Sequence, residues 1–129
     1  MKKYDSEIIE EVLTSAMYGG IGYWACLDND CESWEKWKRR ADFIHGEDSG
    51  DIVTECMRIL YAGGELEFFD TEDSGTRFDP LTLDKLIKGI ESWEDLHGSI
   101  RNAIDYGAFD SYDADTIVQF ALFGELVYG

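Results

Sequence analysis

Glu65, Glu67, Asp70, Glu72 and Asp73 place five carboxylates within nine residues, with no base among them. Alternate residues of an extended strand stand about 6.6 Å apart on one face, so such a row presents negative charge at regular intervals. The chemistry it suits is electrostatic: a basic groove built to hold phosphates would accept the row in place of a nucleic-acid backbone. Glu47, Asp48 and Asp51 form a second acidic group just upstream. Residues 47–79 carry −8 of the chain's net −17, whereas residues 32–46 carry +1. In charge, −17 equals the phosphates of roughly eight base pairs of duplex. The competing reading is that the acids form a solvated surface that serves solubility.

Other residue types that do chemistry form weaker patterns. Cys26, Cys31, His45 and Cys56 are the side chains zinc prefers, yet no close Cys pair occurs, and Cys26 and Cys56 sit in apolar runs where buried thiols are common. Asp28-Asn29-Asp30 opens like a calcium loop, but Ser33 stands where that loop needs Gly and Arg39 where it needs Glu. His45 and His97 belong to no triad pattern, and Gly19-Gly20-Ile21-Gly22 precedes a strand instead of following one, which is the wrong order for a dinucleotide loop. Neither a catalytic residue, a metal nor a cofactor is expected. Lys36-Trp37-Lys38-Arg39-Arg40 is the one basic cluster; Glu32, Glu35 and Asp42 lie four residues from Lys36, Arg39 and Lys38, as in a self-neutralising surface helix. Direct nucleic-acid binding is not expected.

A rival site comes from the aromatics. Tyr23, Trp24 and Trp93, with the scarce cations Arg77 and Arg101, would line a pocket that stacks a base and holds phosphate, a sponge for a nucleotide signal. Trp34, Trp37 and Phe78 extend the aromatic set, most of which the core would claim.

These residues must be positioned by a fold of the α+β class, a small antiparallel sheet packed with four to five helices in one domain spanning residues 1–129. The apolar spacing predicts a helix from Asp5 to Tyr18 capped by Asp5 or Ser6, and one to Ile44 capped by Ser33 with Trp34, Trp37, Ala41 and Ile44 as its stripe. A third carries Ile52 to Leu60 and stops at Gly63-Gly64. Thr82 caps a helix bearing Leu86, Ile90 and Trp93; helix resumes over 99–106; Asp113 caps a last one, with Asp115 as a first-turn acid. The sheet is predicted from a hairpin over 65–78 and a central, doubly covered strand within 20–27, with 125–128 as a possible edge strand.

Four Trp, seven Tyr and seven Phe supply the apolar surface that an acidic chain needs in order to fold. Three cysteines suit a reducing compartment, and no run of 18 apolar residues or signal core is found, so a cytoplasmic location with no membrane contact is expected. A homodimer remains open.

Val12-Leu13-Thr14-Ser15-Ala16 with Gly19-Gly20-Ile21-Gly22-Tyr23-Trp24, the stretch from Gly63-Gly64 to Lys88-Gly89, and the ending Asp113-Ala114-Asp115-Thr116-Ile117-Val118-Gln119-Phe120-Ala121-Leu122-Phe123-Gly124-Glu125-Leu126-Val127-Tyr128-Gly129 resemble a group of small bacteriophage and prophage proteins. The resemblance covers about half the chain in three pieces and is least over Cys31 to Ile44. It implies action inside an infected bacterium and carries no site residue with it. The expectation is a non-enzymatic, host-directed inhibitor whose acidic face binds a basic, nucleic-acid-handling protein of the host. A nucleotide sponge and a structural phage component are the alternatives.

Overall fold

The structure, a computed structural model, describes residues 4–47 and 50–129. Asp5 opens α1 (Ser6–Ser15) by accepting the Ile8 amide at 3.1 Å, and Ile8, Ile9, Val12 and Leu13 form its buried stripe. Full burial of each such side chain contributes about 1.5–3 kcal/mol. The helix then loosens into a single π-helical turn, Ala16–Gly20. Gly20 is required there: a Cβ would lie 2.7 Å from the Ser111 carbonyl oxygen, so only glycine lets this turn reach the start of the last helix.

The segment expected as a central strand is mostly a turn. The Trp24 and Ala25 amides both return to the Ile21 carbonyl at 2.9 Å, which coils the backbone and leaves only β1 (Ala25–Leu27) free to pair. In the three-stranded sheet the order is β1-β3-β4, so β3 (Phe68–Asp70) is central and β1 is an edge. Pleating turns Ala25 inward and Cys26 outward, which corrects the expectation of a buried Cys26.

The hairpin expected over 65–78 also divides. Its core is β3 and β4 (Asp73–Arg77), whereas β2 (Glu65–Leu66) pairs with β5 (Leu81–Thr82) in a separate two-stranded sheet. The register jumps from Asp70 opposite Asp73 to Phe69 opposite Arg77, so residues 74–76 bulge out of the ladder. A bulge of this kind blunts the edge that β4 offers to solvent.

Cys31, rather than Ser33, caps α2 (Glu32–His45), its sulfur accepting the Trp34 amide at 3.4 Å; Trp34 and Ala41 are buried, but Ile44 at the far end is exposed. Asp51 caps α3 (Ile52–Tyr61). Thr82 caps α4 (Leu83–His97), as expected, through the Lys85 amide at 3.2 Å, and α5 (Ile100–Asp105) follows Gly98. The cap of α6 (Ser111–Phe123) is Asp110, not Asp113: each carboxylate accepts the other's amide at 3.1 Å, a reciprocal box.

α6 is the centre of the molecule, with Ala114 to Gln119 buried on every side. Gly89 lets α4 come against it, since a Cβ there would lie 2.6 Å from the Ile117 carbonyl oxygen. The α+β class holds, with six α-helices among the described residues. No strand forms over 125–128. No described helix is long and apolar enough to cross a membrane.

Candidate functional site

The acidic group divides into a displayed part and an engaged part. Glu72 and Asp73 are exposed at the tip of the β3–β4 hairpin beside the half-buried Asp70. Two of these carboxylates are oriented by their own backbone: Asp70 accepts the Glu72 amide at 2.8 Å, and Asp73 accepts the Gly75 amide at 3.2 Å and the Thr76 hydroxyl at 2.8 Å. Glu65 and Glu67 are half-buried and line a groove of about 680 Å³ against α2, where Lys36 and Arg39 face them alongside Glu32 and Glu35. Glu67 also lies 3.7 Å from Arg77. The evenly spaced row is therefore broken at the point where the chain passes from one sheet to the other.

Glu47 is exposed after α2, and Asp48 lies outside the described residues. Asp51 is exposed but serves as a cap: it accepts the Thr54 amide at 2.8 Å, and that hydrogen bond holds its carboxyl below the usual carboxylate range.

The basic residues are mostly paired internally. Arg58 and Lys38 face Asp42 and Glu55; Arg77 bonds Asp28 at 2.5 Å; Arg101 bonds Asp5 at 2.8 Å and lies near Glu7 and Asp105; Lys88 lies 3.2 Å from Asp84. The Arg77 guanidinium lowers the Asp28 carboxyl's affinity for its proton. Among the described residues, Lys36, Arg39 and Arg40 are the cations with no carboxylate or backbone oxygen in reach, and all three lie on α2.

The five residues of the rival pocket are not brought to one place. Arg77 is on the hairpin and Arg101 on α5, each held by carboxylates, and Trp93 is buried in α4 against His97 and Phe109. Trp24 is also buried, stacked on Tyr128 at 4.9 Å and meeting Phe78 and Phe123 at 5.5 Å. Only Tyr23 faces a cleft.

That cleft, about 740 Å³, lies between the π turn, the start of α6 and the last residues of the chain, and Asp115 is at its base. Asp115 is 5% exposed, not the solvated first-turn acid its position predicts. Its Oδ1 accepts the Trp24 indole N–H at 2.7 Å and the Gln119 amide at 2.9 Å, and its Oδ2 accepts the Tyr23 hydroxyl at 2.6 Å. Gln119 completes the arrangement. Its Nε2 also donates to the Tyr128 carbonyl at 3.0 Å, while its Oε1 accepts the Val127 and Tyr128 amides at 2.8 Å, which holds the last residues in place of the expected strand. Desolvation, and then the bond to Asp115, push the Tyr23 hydroxyl up to about 12. It is a firm donor at neutral pH.

No family model, curated protein or solved structure matches this chain. Its functional residues therefore rest on their geometry. No lysine or arginine lines the cleft, so it offers an anion no counter-charge. The signal for this centre in the sequence is the Asp115–Gln119 pair, two polar residues at i and i+4 inside the apolar run from Ala114 to Leu122. Among the described residues, no three His, Cys, Asp or Glu side chains are grouped to hold a metal ion.

Proposed function

We propose that this chain is a non-enzymatic, phage-encoded inhibitor that offers an acidic face to a basic, nucleic-acid-handling host protein in the cytoplasm of an infected bacterium. The observation that carries the reading is the partition of charge. Arg58, Arg77, Arg101, Lys38 and Lys88 pair with carboxylates within the chain, while Glu47, Glu72, Asp73, Asp79 and Asp95 stay exposed, with no ion pair among the described residues. The surplus is thus presented to whatever the protein meets, and the hairpin tip holds part of it in fixed orientation. Binding by fixed carboxylates replaces contacts that a phosphate backbone would make.

The test is capture of a host protein by the tagged chain, followed by competition and salt titration. Duplex DNA should displace the captured protein, and affinity should fall steeply and log-linearly with salt. Charge reversal at Glu47, Glu72 and Asp73 should weaken capture at least tenfold while leaving the fold intact. Capture that neither salt nor DNA disturbs removes the reading.

A further inference from the structure

Among the described residues, a buried carboxylate, Asp115, opens toward solvent through a cleft with exposed tyrosines in its walls. We propose that this cleft is a socket for a guanidinium group, presented as an arginine side chain of the basic partner. This inference rests on the function proposed above and names where one of the partner's cations is anchored.

The argument begins with unused acceptor capacity. A carboxylate has about four lone-pair sites, and Asp115 uses three, two on Oδ1 and one on Oδ2. All three donors are neutral. The carboxylate is nonetheless buried, and neither lysine nor arginine lines the cleft to balance it. A buried charge without a counter-charge is costly, and an incoming cation that shares its hydrogen bonds recovers part of that cost. Tyr23 supplies further acceptor capacity, because its hydroxyl donates to Asp115 and keeps its own lone pairs.

The walls select the shape of the cation. Tyr23 is 50% exposed and Tyr112 is 69% exposed at the rim, and both line the cleft. A planar guanidinium can lie against a tyrosine face while its N–H groups point at a carboxylate, whereas an ammonium does the second more readily than the first. Leu126 and Val127, half exposed in the cleft lining, would receive the methylene stem. An anion would meet no lysine or arginine here.

The experiment is an NMR titration of the full chain with the tripeptide acetyl-Gly-Arg-Gly-amide, its citrulline counterpart and agmatine. The Trp24 indole N–H is the reporter because it bonds the same carboxylate from the buried side. The arginine tripeptide should shift this resonance saturably with a Kd of about 1 mM or below. The citrulline tripeptide, equal in shape but uncharged, should leave it in place. Tyr112→Ala, at an exposed position, should weaken binding roughly fivefold to tenfold with the rest of the spectrum unchanged. Asp115→Asn should weaken it by about a hundredfold. No shift with the arginine tripeptide, an equal shift with citrulline, or indifference to Tyr112→Ala would each overturn the socket. A response to agmatine alone would overturn the partner's side chain as its occupant. The tripeptide carries one charge and reads only the cleft. A chain that ignores it, yet still captures a host protein in a salt- and DNA-sensitive way, loses the socket and keeps the function proposed above.

Discussion

Two regions of this protein use the same side-chain chemistry in opposite ways. At the β3–β4 hairpin, Asp70, Glu72 and Asp73 stand at or near the surface, oriented by local backbone amides, and the bulge over 74–76 keeps their strand from becoming a clean edge. On α6, Asp115 is buried and, with Gln119 on the same helix, joins two distant parts of the chain: the turn bearing Tyr23 and Trp24, and the last residues near Tyr128. The hairpin acids bond only within their own turn, in contrast to a carboxylate whose partners come from far along the chain. Solvation makes the difference. An exposed carboxylate exchanges water for little, whereas a buried one must have its donors or leave them and itself unsatisfied.

The largest expected effect tests the buried side of this contrast. Asp115→Ala strips the acceptor from the Trp24 indole and the Gln119 amide, and urea unfolding should show a loss of about 3 to 5 kcal/mol. A loss under about 1 kcal/mol would mean that the cluster is not an anchor. Next comes the joint that brings the π turn to α6. Gly20→Ala forces a Cβ to within 2.7 Å of the Ser111 carbonyl oxygen, and the overpacking should cost about 1–3 kcal/mol in the same measurement.

A pH titration sharpens the contrast without a change of sequence. Tyr23 is raised from 10.0 to about 12, so its bond to Asp115 stabilises the fold fully below pH 10, and that contribution is lost as the pH climbs through about 12. Tyr4 and Tyr61 are also raised, Tyr4 by burial and by a 2.5 Å bond to Glu94, Tyr61 mainly by burial. Ultraviolet titration of the folded protein should therefore show Tyr4, Tyr23 and Tyr61 ionising above the ordinary tyrosine range, and Tyr23→Phe should remove one of these three late steps. The smallest effect belongs to the hairpin. Glu72→Lys should shift stability by no more than about 0.5 kcal/mol, because its carboxylate is exposed and, among the described residues, has no hydrogen bond or ion pair. A larger loss would mean that the hairpin acids are structural and the contrast false.

Much of the framework was legible because it depends on neighbours in the chain. Thr82 as cap of α4, a cap of α1 at Asp5 or Ser6 (the structure uses Asp5) and the stop after α3 at Gly63-Gly64 are local hydrogen-bond and backbone effects that periodicity and residue type reveal. The errors fall where distant groups compete. The apolar run Ile21–Leu27 has the composition of a central strand, but a turn closed on Ile21 and an edge position in the sheet took most of it away. Asp110 displaced Asp113 as the cap of α6 because Asp113, three residues on, closes a capping box on the Asp110 amide instead of starting the helix itself. Glu65 and Glu67 read as part of one acidic row until two short sheets, rather than one hairpin, carried them toward α2.

What the sequence determined by itself is the charge and its rough address: −17 in all, concentrated in residues 47–79, together with an aromatic content sufficient for a core. What only the tertiary structure decided is which carboxylates face solvent and which one is enclosed. Composition sets how many charges a chain must carry. Burial and hydrogen-bond partners from elsewhere in the chain set what each of them costs and does, and Asp115 met its partners only when residues some ninety positions away folded back against it.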